Sequence, residues 1–188
     1  MSIINLPIIP LPIFLLPNGI SRLRIVEPRY LKMVKIASEQ QGFVIKLVSE
    51  QTQTSDPIWG SWVQIINFHQ GDDGILEIDV QCQALVTITS TEKEPDGLEF
   101  GNVIEQKHWS QELKQAKQQT LSKPLHDLIN KNGLLAQLYP WHAKPSENWV
   151  VARWLELLPV NLNVKKTFIQ QQDFEQARLF VASIILQD

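Results

Sequence analysis

The sequence has a single cysteine, Cys82, among its 188 residues. One thiol can neither close an internal disulfide nor supply a thiolate zinc cluster, and so spare a use of cysteine fits a reducing compartment. No glycine is followed by lysine, which excludes a Walker A loop, and there is no G-x-S-x-G elbow. The four histidines, His69, His108, His126 and His142, include no pair three or four apart, so no helix carries a metal-binding pair. Long uninterrupted apolar runs are missing too. The greasiest stretch, "LPIIPLPIFLLPNG", holds four prolines between Pro7 and Pro17, and no Lys or Arg precedes it. Those prolines break a signal-peptide or transmembrane helix. A soluble cytoplasmic protein is expected, with no catalytic set, no metal and no cofactor.

What is present is an ordinary globular composition, 44% hydrophobic and 20% charged, with charge unevenly placed. Residues 1–48 carry six Lys/Arg against two Asp/Glu, a net of +4; residues 49–106 carry one against eleven, a net of −10; residues 107–188 carry ten against seven, a net of +3. The middle third would repel phosphate, which weighs against a nucleic-acid binder.

The N-terminal prolines fit extended segments, so Ile8-Ile9, Leu11 and Ile13 to Leu16 read as short buried strands broken at each proline. Pro17-Asn18-Gly19 is a turn, and "SRLRI" alternates as a half-buried strand. Glu27-Pro28 opens a helix running to about Gln41, with Leu31, Val34 and Ala37 or Ser38 on one face and Gly42 as its stop. Strands follow over Phe43 to Val48 and Trp62 to Phe68, then a Gly71-to-Gly74 turn. "ILEIDVQCQ" alternates, placing Leu76, Ile78, Val80 and Cys82 inward and Glu77, Asp79, Gln81 and Gln83 outward. Ala84 to Thr89 continues it, Pro95-Asp96-Gly97 turns, and Leu98 to Ile104 returns. Short strands joined by such turns predict a small barrel or a strongly curved sheet.

From about Ser110 the spacing is helical. Helices are expected over Gln111 to Leu121, Pro124 to Asn132 (stopped by Gly133), Glu147 to Leu158 (stopped by Pro159), Val164 to Gln171 and Phe174 to Leu186. Asp173 with Gln176 forms a capping-box pattern for the last. The chain is therefore α+β, with a β-rich part over 1–106 and a helical part over 107–188.

Individual residues point to packing more than to chemistry. Cys82 falls in an inward register and reads as a small buried hydrophobe rather than a nucleophile. Asp72-Asp73 reads as a solvated turn with too few oxygens for calcium. Of six tryptophans, Trp59 and Trp141 lie in loops near Pro57 and Pro140, and these two are the candidate partner-binding anchors. Glu27, Arg29 and Tyr30 sit at a strand-to-helix corner and read as a structural ion pair with a packed ring.

The opening stretch resembles the Lon substrate-binding domain, the N-terminal domain of Lon proteases. That family begins L-P-L-F-P-L-x-x-V-L-F-P-G and continues L-x-I-F-E-x-R-Y-x-x-M. Leu6, Pro7, Pro10, Leu11, Leu16, Pro17, Gly19, Leu23, Ile25, Glu27, Arg29, Tyr30 and Met33 match it. The later "NWVVARWLELLPVN" resembles the family's helix ending in L-L-P. The family's G-x-x-R-F-x-I strand is replaced by Cys82-Gln83-Ala84-Leu85-Val86-Thr87-Ile88, without the Gly, Arg or Phe, and its Val-rich strand is altered at Phe43-Val44-Ile45.

The resemblance implies a PUA-like β-barrel followed by an α-helical bundle. It also implies recognition of a protein partner or of unfolded, apolar polypeptide, with Pro10, Pro17, Glu27, Arg29 and Tyr30 as structural motif residues. Because the sequence ends at Asp188 before any ATPase or Ser-Lys protease domain, a stand-alone form without enzyme activity is expected. RNA binding is the alternative that PUA-like barrels suggest.

Overall fold

The computed structural model describes residues 2–48, 58–109, 120–140 and 145–186. The described residues form a mixed α+β structure of six strands followed, apart from one early helix, by helices. The chain divides into two compact units, Met1–Gln106 and Lys107–Asp188.

The first unit holds β1 (Ile4–Leu11), β2 (Ile20–Ile25), α1 (Pro28–Glu39), β3 (Phe43–Leu47), β4 (Trp59–Gln70), β5 (Leu76–Lys93) and β6 (Glu99–Gln106). The strand order is β2-β5-β4-β3-β1-β6, and β6 also pairs with β5. The 18-residue β5 makes this possible. Its first part runs antiparallel to β4, from Leu76 opposite Gln70 to Thr87 opposite Trp59. Its second part runs antiparallel to β6, from Leu85 opposite Gln106 to Lys93 opposite Glu99. The pairings β5-β4-β3-β1-β6 thus return to β5. Leu6, Ile8, Val44, Val86, Ile88 and Val103 pack as one buried cluster between these strands.

β1 corrects the expectation of short strands broken at prolines. It is one strand containing Pro7 and Pro10. Ile4 to Ile8 pair with β6 and Ile8 to Leu11 with β3. Each half therefore has a ladder on one side only, and a proline facing the other side costs no ladder bond. Ile13 to Leu16 are not a strand, although Phe14, Leu15 and Leu16 are buried. The turn at Pro17-Asn18 is present: Gly19 N–H donates to the Leu16 carbonyl at 2.8 Å, and Asn18 has a φ of 65°.

α1 starts at Pro28, where the missing N–H costs nothing. It buries Met33, Val34 and Ala37, whereas Leu31, expected on that face, is exposed. Gly42, at φ 85°, ends the helix region by donating its N–H to the Ala37 carbonyl at 3.3 Å.

The second unit holds α2 (Ser122–Lys131), α3 (Gly133–Leu138), α4 (Glu147–Leu157), α5 (Leu162–Lys166) and α6 (Phe174–Ile185). The helix expected over Gln111 to Leu121 falls chiefly on residues 110–119, outside the described ones. Gly133 does not simply stop α2. It opens α3, because the Asn132 side chain accepts the Leu135 N–H at 3.0 Å and caps the new helix. Ser146 caps α4 in the same way through the Trp149 N–H. Asp173 does not form the expected capping box; its carboxylate instead accepts the Gln170 N–H at 3.0 Å. The expected helix over Val164 to Gln171 is the shorter α5.

The core of this unit forms around α4. Trp154 Nε1 donates to the Leu121 carbonyl at 2.9 Å, and Trp109 Nε1 to the Phe168 carbonyl at 2.8 Å. Arg153 is fully buried beside the Tyr139 and Trp149 rings, its guanidinium 5.8 and 5.5 Å from their centres, with Glu156 as its ion-pair partner. Among the described residues no helix is long and apolar enough to cross a membrane.

Candidate functional site

β2, the first part of β5 and the second part of β4 form a three-stranded section with unlike faces. Side chains directly opposite one another share a face. One face carries the rows Leu23–Ile78–Phe68 and Ile25–Leu76–Gln70. Leu23 and Ile78 are buried at 5% and 0% exposure, and Phe68 stands at the open end of that apolar row at 53%.

The other face carries the rows Arg22–Asp79–Asn67 and Arg24–Glu77–His69. Asp79, expected to face solvent, is buried. Arg22 Nε donates to its Oδ1 at 2.7 Å and Nη2 to its Oδ2 at 3.1 Å. His69 Nε2 lies 2.6 Å from Oδ2, so a ring proton on that nitrogen donates to the carboxylate. Burial pushes the Asp79 carboxyl up, but the hydrogen bonds from Arg22 and His69 outweigh it and hold it below its ordinary value. The same carboxylate raises the pKa of Arg22. Arg24 pairs with Asp73 in the Gly71-to-Gly74 turn, which lowers the Asp73 pKa. The polar face is thus largely ion-paired and ties β2 to the β4–β5 hairpin.

Among the described residues the outer edge of β4 is paired over only part of its length. β3 pairs with β4 only from Phe43 opposite Val63 to Lys46 opposite Gly60. Beyond Val63, β4 has β5 as its single strand partner among the described residues. A register shift between Ile65 and Asn67 leaves Ile66 outside the ladder, at 49% exposure. The Asn67 side chain accepts the Phe68 N–H at 3.0 Å, so a side chain takes a main-chain donor of this segment. Sequence reading placed a strand here but missed its exposed apolar residues. The available signal was Ile65-Ile66, two adjacent apolar residues that break the alternation.

Trp59, one of the two expected anchors, is buried at 7% exposure with its ring edge-on to Phe14, centroids 5.7 Å apart. It pairs with Thr87 inside the sheet, so it is a core residue and offers no exposed face. Trp141, the other, lies outside the described residues. Cys82 is buried and its Sγ points to the Ala84 carbonyl at 3.5 Å. No group of three or more His, Cys, Asp or Glu among the described residues could hold a metal ion.

Of the motif residues, Glu27, Arg29 and Tyr30 gather at the start of α1. Pro10 lies opposite Lys46 in β1, and Pro17 lies in the turn before β2. Arg29 Nη2 pairs with the Glu27 carboxylate at 2.7 Å, its Nη1 donates to the Gly97 carbonyl at 3.3 Å, and its guanidinium lies 4.8 Å from the Tyr30 ring centre. Lys32 pairs with Glu94 and Asp96. The first turns of α1 are thereby fastened to the β5–β6 turn.

Among solved structures, the chain is similar to a Lon N-terminal domain protein from Xanthomonas campestris, at 23% identity over 96% of this chain and 98% of that one, with a TM-score of 0.67. It is also similar to the N-terminal domain of a Lon protease from the Mycobacterium avium complex, at 11% identity over 97% of this chain and 98% of that one, with a TM-score of 0.62. The fold is that of Lon N-terminal domains. No family model and no curated protein matches the sequence. The Lon N-terminal fold accommodates the altered Cys82-to-Ile88 stretch as the middle of β5, where the strand passes from β4 to β6.

Proposed function

We propose that this chain is a non-catalytic protein-recognition module that holds unfolded or apolar polypeptide segments. The observation that carries the reading is the open edge of β4 with exposed Ile66 and Phe68, in a fold shared with the N-terminal domain of a Lon protease. Exposed apolar side chains beside unpaired main chain suit a polypeptide ligand, which offers both apolar groups and hydrogen bonds. The returning ring of strand pairings supports reading residues 1–106 as a PUA-like barrel, with 107–188 as a helical bundle. Pro10, Pro17, Glu27, Arg29 and Tyr30 then serve architecture rather than binding, and Trp141 stays a candidate anchor. The module works without a cofactor, in the cytoplasm.

The test is a comparison of affinities. A permanently unfolded, labelled polypeptide, its native folded form and a single-stranded RNA are titrated against the chain at roughly 50 and 300 mM salt, a range that spans weak to strong screening. The reading expects binding of the unfolded form, with little salt dependence and no turnover of ATP or casein. RNA binding that falls steeply with salt would replace it with the nucleic-acid reading.

A further inference from the structure

Natural sheet edges are usually blunted by lysine, proline or charge. The second part of β4, Gln64-Ile65-Ile66-Asn67-Phe68-His69-Gln70, contains no Lys, Arg, Asp, Glu or Pro. Its outer side has no strand partner among the described residues, and Ile66 and Phe68 are 49% and 53% exposed. Phe68 prolongs the apolar row Leu23–Ile78 and would be covered by one more strand laid beside it. The Asn67 side chain accepts the Phe68 main-chain N–H of this segment at 3.0 Å.

Charge selects the occupant. In the β4–β5 hairpin Asp72, Asp73, Glu77 and Asp79 outnumber the facing Arg22 and Arg24 of β2, a net of −2 in which Arg22 holds Asp79 and Arg24 serves both Asp73 and Glu77. A second copy would bring the same sign to the same place, whereas a cationic segment meets the opposite sign. We infer that residues 64–70 of β4 accept an extended polypeptide segment carrying apolar and cationic residues, bound as an added strand. This rests on the protein-recognition reading and names what that surface takes. Main-chain hydrogen bonds would supply affinity, Ile66 and Phe68 would receive the apolar side chains, and the turn acid Asp72, beside the Asp73–Arg24 pair, would face the cationic ones.

The full chain is titrated by fluorescence anisotropy with a labelled decapeptide of alternating valine and lysine. Controls are the same peptide N-methylated at alternate residues and a valine–glutamate version. Saturable binding of the first, weakened at least about tenfold by N-methylation and by the charge exchange, is expected. Ile66→Lys, which lies outside the ladder, should weaken it by a similar factor in a protein that melts as wild type does. Phe68→Ser serves as a second variant, read only if its melt is also unchanged. Equal binding of the N-methylated peptide, or of a folded Ile66→Lys chain, would overturn the inference. So would a concentration-dependent dimer abolished by Ile66→Lys, which would make the occupant a second copy. If unfolded polypeptide still binds a folded Ile66→Lys chain as it binds wild type, the edge assignment fails while the recognition reading stands. If it binds neither, both fail.

Discussion

The Asp79 carboxylate accepts the Arg22 Nε hydrogen at 2.7 Å across directly opposed positions of β5 and β2. This pair, with His69 as a third member, fastens β2 to the hairpin whose outer strand is left open.

Asp79→Ala should therefore be costly. It leaves the Arg22 guanidinium, itself only 18% exposed, without its carboxylate. A loss of about 3 kcal/mol is expected, the low end for breaking one side of a buried pair, because Arg22 keeps some contact with solvent. Urea unfolding of wild type and variant measures it, and an unchanged midpoint would contradict the role.

The same pair gives a pH dependence. The Asp79 pKa is lowered in the folded state, so its stabilisation is complete above the ordinary value of about 4 and is lost as pH falls through the folded value. Asp79→Asn should flatten that acid limb. Chemical unfolding between roughly pH 5 and pH 2, the range over which such carboxylates titrate, shows whether it does.

A second window belongs to His108. It is half-buried, stacked on Trp109 with its Nδ1 2.9 Å from the Ile169 carbonyl, and loss of solvent around the ring lowers its pKa. As pH falls through the ordinary value of about 6.5, the unfolded chain takes a proton that the folded chain resists, and stability falls. His108→Gln should remove that part of the decline between roughly pH 7 and pH 5, read from melting temperatures across the range.

Two glycines separate backbone strain from crowding. Gly42 and Gly74 both have positive φ, 85° and 80°. A Cβ at Gly42 would lie 2.0 Å from the Val63 carbonyl oxygen, whereas one at Gly74 meets nothing nearer than 3.9 Å. Gly74→Ala should cost about 1 kcal/mol and Gly42→Ala distinctly more, about 3 kcal/mol, in equilibrium unfolding.

Much of the fold was legible because local signals agreed with it. Pro28 opened α1, Leu157-Leu158-Pro159 closed α4, and Ile78, Val80 and Cys82 alternated into the core of β5. Asp173 and Gly133 failed locally, through a bond to Gln170 and a cap from Asn132, whereas the other failures share one cause, contacts distant in sequence. Asp79 alternates like a solvent-facing residue, and its burial depends on Arg22, 57 positions away, and His69 on the neighbouring strand. Pro7 and Pro10 do not break β1, because it changes partners at Ile8. Trp59 looked like a loop anchor from its proline neighbour, but β4 extends to it and packs it on Phe14. The β4 edge was hidden for the same reason: an edge is defined by which strand is missing beside it.

The most direct measurement is an amide chemical-shift titration of the isotopically labelled chain with a permanently unfolded polypeptide. Saturable shifts concentrated on residues 64–70 and the facing residues of β5, with the added polypeptide left uncleaved, are the predicted result. The absence of saturable shifts anywhere in the chain would contradict a recognition module of this kind.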